Sequence, residues 1–255
     1  VSDFAFGWTP DNPDLDDLDF KAPFGVGPRA VTHNRDRFDP PKWNQGSMGY
    51  CTDYAGARAR WIVEYLQTGV NVQPSAIFSA WVTRLRTGQA GQNVGASIRD
   101  SAEGSILTGV ASEFVHPSEM AGVPNSVRAK VKPSAEAFRE AGDHQILKSY
   151  VITDGDVEAI HEALRAGFPV HFGMFLGNRF TDTGANGIVP PWDGSRVNAH
   201  SMILRDADQV NGKWGAWGDN SWGHGWGRDG SYFLDDAALA RLMDIRVYTA
   251  IEVFG

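Results

Sequence analysis

From residue 51 to about 66, apolar side chains recur at helical spacing, with Ala55, Ala59, Ile62 and Leu66 on one face and Tyr54, Ala57, Trp61 and Tyr65 on the adjoining one. An apolar arc this wide predicts a helix buried on most sides. Pro74 and Ser75 can open a second helix running to about residue 84, and the segment from Gly95 to Asp100 can open a third. The pattern changes after about Gly142. Residues 145–152 read as a strand, and Asp154 can cap a helix that carries Val157, Ile160 and Leu164. Gly167 and Pro169 stop that helix ahead of the apolar run 170–175. Segments near His200 and at 214–217, 231–234 and 246–254 predict further strands of an antiparallel sheet or barrel. The pattern therefore predicts an α+β protein in which residues 45–142 are mainly helical and 143–255 mainly β.

Residues 1–44 are rich in Pro, Asp and Gly and read as an extended arm wrapped on the body. The arm carries an acidic run, Asp11, Asp14, Asp16, Asp17 and Asp19. This run lacks the central Gly and terminal Glu of an EF-hand loop, so local salt bridges or a solvated face are its better reading.

Composition narrows the field. The 255 residues are 42% hydrophobic and 21% charged, an ordinary globular balance, with room for one two-lobed domain or two small ones. No stretch approaches the roughly 18 uninterrupted apolar residues of a membrane helix. A net charge of −8 without basic clusters argues against a nucleic-acid partner. One cysteine means no intramolecular disulfide, which favours a reducing cytoplasm or assembly into a particle such as a virion. The start has no apolar signal segment, and Val1 in place of Met fits a processed or trimmed chain; a propeptide or particle partner would lie outside it.

That one cysteine, Cys51, stands at the predicted start of the buried helix, six residues after Gln45 and behind Gly46 and Gly49. A helix N-terminus aims unpaired N–H groups and a positive dipole end at such a thiol, which suits a nucleophile. Downstream lie Ala199-His200-Ser201 and the segment Asp219-Asn220-Ser221-Trp222-Gly223-His224-Gly225-Trp226-Gly227. They offer an imidazole as base and an amide to orient it.

These three segments resemble the papain-like cysteine peptidases, in which a Gln-Gly-x-x-Gly-x-Cys segment opens the central helix, a His follows, and an Asn-Ser-Trp-Gly-x-x-Trp-Gly segment comes shortly after. The resemblance runs from about Gln45 to the C-terminus. Thr52 and the leader from Trp8 to Asp14 look closer to disulfide-free bacterial and viral members, and Met48 stands where many secreted relatives have a cysteine. The resemblance implies a helical lobe packed against a barrel-like β lobe, with the active-site cleft between them. It implies Cys51 as nucleophile, His200 as its base, Asn220 as the orienting amide, and Gln45 with the Cys51 N–H as oxyanion donors. Trp222 would shield the His200–Asn220 contact. Ala199 would lie on the leaving-group side, and Asn93 and Gly95 at an edge where an extended peptide pairs as an added strand.

Other motifs give less. The Gly223–Gly227 segment lacks the Lys-Ser/Thr of a phosphate loop. The remaining histidines, His33, His116, His144, His161, His171 and His224, have no zinc-site spacing, so neither metal nor cofactor is expected. The tryptophans after Trp192 leave sugar binding a minor reading. The expected partner is a peptide or protein substrate. Two other readings stay open: a papain-fold structural or effector component with little proteolysis, and an amidase acting on peptidoglycan stem or isopeptide bonds.

Overall fold

A computed structural model describes residues 4–12, 14–21, 27–118 and 123–250. In chain order its elements are β1 (Leu18–Asp19), α1 (Asn34–Arg37), α2 (Cys51–Thr68), α3 (Ala76–Arg86), α4 (Ile98–Leu107), α5 (Asn125–Arg128) and α6 (Ala135–Ala141). They continue with β2 (Lys148–Ile152), α7 (Val157–Arg165), β3 (Val170–Leu176), β4 (Asn198–Val210), β5 (Lys213–Asp219), β6 (Ser231–Asp235), α8 (Asp236–Leu239) and β7 (Met243–Thr249). Helices thus dominate the first half and strands the second.

Local chemistry accounts for the helix starts. Ser75 accepts a hydrogen bond from Phe78 N (3.0 Å) and Ser97 from Asp100 N (3.1 Å), each capping a helix that begins one residue later. For α7 the cap is Asp156, which accepts from Ala159 N, and not Asp154. Asp154 accepts instead from the backbone of Asp244. At α2 the residue before the helix, Tyr50, offers no side-chain cap; its carbonyl takes the Asp53 and Tyr54 N–H groups at 3.0 Å each.

The strands form one sheet in the order β1-β2-β7-β3-β4-β5-β6. Among the named strands only the β1–β2 pairing is parallel, and β1 and β6 stand at opposite ends of the order, β6 bridged on its outer side by Ile188 at Phe233, so the sheet is open and mixed. The last strand begins at Met243, earlier than its sequence pattern suggested, and residues 251–254 of the expected strand lie outside the described residues.

The central helix sits where the pattern placed it. Ala55, Ala59, Ile62 and Val63 of α2 pack against Ile203 of β4 and Tyr248 of β7. A second core joins Ile160, Ala163 and Leu164 of α7 to Phe172, Met202 and Leu204 on the sheet. Between helix and sheet lies a polar knot that periodicity alone does not reveal. Asp219, at the end of β5, is buried among Arg35 (2.9 Å), Arg58 (3.0 Å), Lys42 (3.0 Å) and Arg205 (3.4 Å). These cations hold its carboxyl well below the usual range, although burial alone pushes it up. Arg58 comes from α2, Arg205 from β4, and Arg35 and Lys42 from the arm, so one carboxylate ties three parts of the chain together. Removing one partner of such a buried set leaves uncompensated charge, and Asp219→Ala is expected to cost about 3–5 kcal/mol in urea unfolding. A loss below about 1 kcal/mol would show that water or other side chains replace the carboxylate.

Candidate active site

The cleft is assembled from the end of one loop, the start of one helix and two sheet strands. Cys51 opens α2 and is fully buried; its sulfur packs with Trp8 and Ile98, and the backbone N–H of Ser201 faces it. Ala199 packs against the same group, so the residues on both sides of His200 meet the cluster that holds Cys51. His200 Nε2 lies 2.9 Å from Asn220 Oδ1, and Ser221 N donates to that same oxygen at 2.7 Å. An oxygen that already accepts one N–H is an acceptor, so Nε2 carries the ring proton and Nδ1 keeps its lone pair. Among the described residues His200 Nδ1 is buried without a hydrogen-bond partner. The imidazole is thus held in the tautomer a base requires.

Gln45 is tied into the same structure from the opposite wall. Its backbone N donates to Ser221 O (2.8 Å), and its side-chain oxygen accepts from the Ser221 hydroxyl. Gly223 N donates to Trp43 O (2.9 Å), and Asn44 and Trp222 form an isolated antiparallel bridge. This short ladder joins the two motif segments. With its oxygen committed, Gln45 directs Nε2 at Met48 O (2.6 Å) and at Ala5 O (3.3 Å). Behind the loop, Arg84 pairs with the buried Asp53 (2.6 Å) and donates to Gly49 O (3.2 Å) and Val94 O (2.6 Å). That guanidinium clamps the loop before Cys51 to the segment around residue 94.

Trp222 stacks on His200 with centroids 4.7 Å apart and is itself buried. Asn93 Oδ1 accepts from Gly49 N (2.8 Å) and braces the loop before Cys51. Gly95 stands against Gly7, where an added Cβ would lie 2.6 Å from the Gly7 oxygen.

The occupant of the cleft is the chain's own arm. Phe4 stacks on Trp222 at 4.4 Å, and Phe6 presents its edge to His200 and Trp222 at 5.6 Å. The Ala5 carbonyl accepts from Gln45 Nε2 and from Trp222 Nε1 (3.4 Å). Gly7 O accepts from Ala96 N (2.8 Å) and Thr9 N donates to Ala96 O (3.0 Å), a parallel bridge centred on Trp8. Beyond it the acidic run is pinned. Arg99 meets Asp14 (3.1 Å) and Asp17 (2.7 Å), and Arg246 meets Asp17 (3.0 Å) and Asp11 (3.6 Å). The salt-bridge reading of these aspartates therefore accounts for Asp11, Asp14 and Asp17. The contact of Phe4, Phe6 and Trp8 with the cleft was not read from sequence, although their period-two spacing in a polar arm is a strand-like signal.

Burial sets the protonation states. It pushes the Cys51 thiol up from 9.0 to about 11, against the opposing effect of the Ser201 N–H. It pushes His200 down from 6.5 to about 4, with the Asn220 hydrogen bond acting the other way. The closed cleft thus holds a neutral thiol and a neutral imidazole, and the low-pKa thiolate that a helix start suggests does not form beneath the arm. Among the described residues no group of His, Cys, Asp and Glu is placed to hold a metal ion. No described helix is long and apolar enough to cross a membrane.

The architecture has clear parallels. It matches xylellain, a cysteine protease from Xylella fastidiosa, with a TM-score of 0.82 at 21% identity over 98% of this chain and 97% of that one. Procathepsin L2 from the larval midgut of Tenebrio molitor matches at TM-score 0.75 and 18% identity, over 93% of this chain and 76% of that one. Bromelain from Ananas comosus matches at 0.68 and 18%, over 88% of this chain and all of the other. The fold is papain-like. In sequence, the chain is 29% identical over 203 residues to an uncharacterized peptidase C1-like protein, L477, of Acanthamoeba polyphaga mimivirus. That alignment covers 74% of this chain and spans 62% of the viral protein's length. No family model matches the chain.

Two outcomes follow from the closed cleft. Since burial pushes the thiol up and Trp8 packs against it, iodoacetamide alkylation of Cys51 at pH 7 should rise about tenfold or more in Trp8→Ala; an unchanged rate would show that the arm does not govern the thiol. Stability should also fall in acid. Burial holds His200 and His116 down at about 4 and His171 at about 3, so below 6.5 the unfolded chain takes up protons that the folded chain refuses. Their contribution is complete above 6.5 and lost progressively toward 4, outweighing Asp244, whose raised value of about 6 acts oppositely. Scanning calorimetry should give a lower Tm at pH 4.5 than at pH 7; equal values would contradict buried neutral histidines.

Proposed function

We propose that this chain is a papain-like cysteine peptidase that hydrolyses peptide bonds through a Cys51-His200-Asn220 acyl-enzyme mechanism. The observation that carries the reading is the oriented imidazole: Nε2 is fixed on Asn220, Nδ1 is buried with no hydrogen-bond partner among the described residues, and the N–H of the next residue, Ser201, faces the thiol that starts the central helix. The helical residues 45–142 supply Cys51 and Gln45, and the β residues 143–255 supply His200 and Asn220. With the arm displaced, His200 Nδ1 takes the thiol proton and the sulfur attacks the scissile carbonyl carbon. Gln45 Nε2 and the Cys51 backbone N–H hold the oxyanion that develops. The carbon–nitrogen bond breaks as His200 returns the proton to the leaving amine, and water, deprotonated by His200, cleaves the thioester. Trp222 over His200 keeps water from the ring's bond to Asn220.

A peptide carbonyl, that of Ala5, already rests against Gln45 Nε2, which supports the use of that donor. The partner is accordingly a peptide or protein substrate, and the arm acts as the internal competitor for the same cleft. The similarity to the viral peptidase C1-like protein agrees with this chemistry.

The test is peptide hydrolysis by the full chain carrying Trp8→Ala. Turnover should vanish with Cys51→Ala, fall roughly 10²–10⁴-fold with His200→Ala, and fall roughly 10²–10³-fold with Gln45→Ala. Asn220→Ala should lose less than His200→Ala, and combining it with Trp222→Ala should add little, because both act on the same hydrogen bond. Hydrolysis that survives Cys51→Ala would overturn the nucleophile.

A further inference from the structure

The arm reports more than closure, because one of its side chains fills a pocket that a substrate would inherit. Trp8 is only 3% exposed and lies directly against Cys51 and Ile98. Its ring meets Phe175 at 5.3 Å, and Met243 completes the group. The floor is open only because residue 173 is glycine: a Cβ there would lie 2.0 Å from the indole Cε2. At the far end the indole N–H donates to Asp244 Oδ2 at 3.0 Å, and Asp11 N donates to the same oxygen at 2.8 Å.

Asp244 is placed there by the backbone. The pairing of β3 with β7 shifts register between His171 and Gly173, opposite Arg246 and Met243, and Asp244 lies in that irregularity with φ of 50°. A bulge of this kind re-aims a side chain, and the left-handed conformation is an uncommon one for a non-glycine residue. The backbone N–H of Asp244 is fixed on Asp154 Oδ1 at 2.8 Å, which holds the turned carboxylate in position.

Both donors to Asp244 Oδ2 belong to the arm, so displacement of the arm strips that oxygen of each. It is then a half-buried acceptor at the end of a flat apolar slot. A substrate side chain with a planar body and an N–H at its tip restores the bond, whereas one of similar shape without the N–H leaves the acceptor unpaired. Arg196 already lies over Phe175 at 5.1 Å, and Arg241 donates to the Phe175 carbonyl at 3.2 Å. Positive charge therefore stands at the Phe175 side of the slot and the carboxylates of Asp154 and Asp244 at its far end, so the flat apolar walls rather than net charge favour an indole over a cationic side chain. On the reading of the chain as a cysteine peptidase, we propose that Asp244 determines specificity by selecting tryptophan in the pocket that Trp8 occupies.

The experiment uses the full chain with Trp8→Ala and peptides carrying tryptophan, benzothienylalanine, phenylalanine or arginine at each of the three positions before the scissile bond. Benzothienylalanine keeps the shape of tryptophan and lacks only the N–H. At one position tryptophan should exceed it about tenfold in kcat/KM, the range of a hydrogen bond to a charged group. Asp244→Leu should bring that ratio close to one while benzothienylalanine peptides are still cleaved, and Asp244→Asn, which keeps an acceptor oxygen, should retain part of it. A ratio close to one at every position in Trp8→Ala, a ratio that persists in Asp244→Leu, or a preference for arginine would overturn the assignment. The first and last of these outcomes need no Asp244 variant to fold. Cleavage without any tryptophan preference sinks only the role of Asp244, whereas failure to cleave any peptide sinks the peptidase reading itself.

Discussion

The buried carboxylate of Asp219 is the constraint on which the rest of the molecule depends. Four cations from the arm, the central helix and strand β4 converge on it. Its Oδ1 also accepts from the Ser231 hydroxyl at 3.0 Å. The next residue is Asn220, so the anchored end of β5 sets the position of the amide that orients His200. Charges buried this completely stabilise a fold only when each is matched. Here the matching partners come from three separate segments, which further polar contacts such as Arg58 to the Pro40 carbonyl and Arg205 to Asp39 also join. The helix bearing Cys51 is thereby registered against the strand bearing His200 through Arg58 and Arg205 on one carboxylate.

Closure by the arm is a second consequence of the same architecture. Arg35 and Lys42 anchor one end of the arm at Asp219, while Arg99 and Arg246 hold the acidic run, leaving Phe4 to Thr9 stretched across the cleft. Two aromatic rings and a backbone bridge then exclude water from a thiol and an imidazole. Exclusion of water favours the neutral forms of both, which is why the closed site carries no ion pair. A helix N-terminus lowers a thiol only where solvent or a charged partner can share in stabilising the anion.

Much of this was legible in the sequence wherever the determining interaction is local. Ser75 and the segment from Gly95 to Asp100 marked helix starts, and the apolar arc of α2 marked a buried helix, because caps and periodicity act within a few residues. Asp154 misled for a related reason: it is as good a cap by type as Asp156, and only its contact with Asp244, 90 positions away, withdraws it from that role. Cys51, His200 and Asn220 were readable through the short motifs around them, although nothing in those motifs gives the hydrogen bond that sets the tautomer. The bond from Trp8 to Asp244 joins residues 236 positions apart, and the cations around Asp219 are scattered over 170 positions. No spacing rule connects such partners. Of the sheet or barrel that the strand pattern allowed, the structure takes an open mixed sheet, since strand alternation predicts strands but not whether the first and last of them meet.

The central claim is that Cys51, once uncovered, is activated by an imidazole that Asn220 orients. It is tested most directly by intact-protein mass spectrometry of the full chain carrying Trp8→Ala after exposure to a peptidyl epoxide, followed by peptide mapping. The account predicts a single adduct on Cys51, formed far faster than with a simple thiol at the same pH and slowed sharply by His200→Ala. Modification no faster than that of a free thiol, or unaffected by His200→Ala, would contradict it.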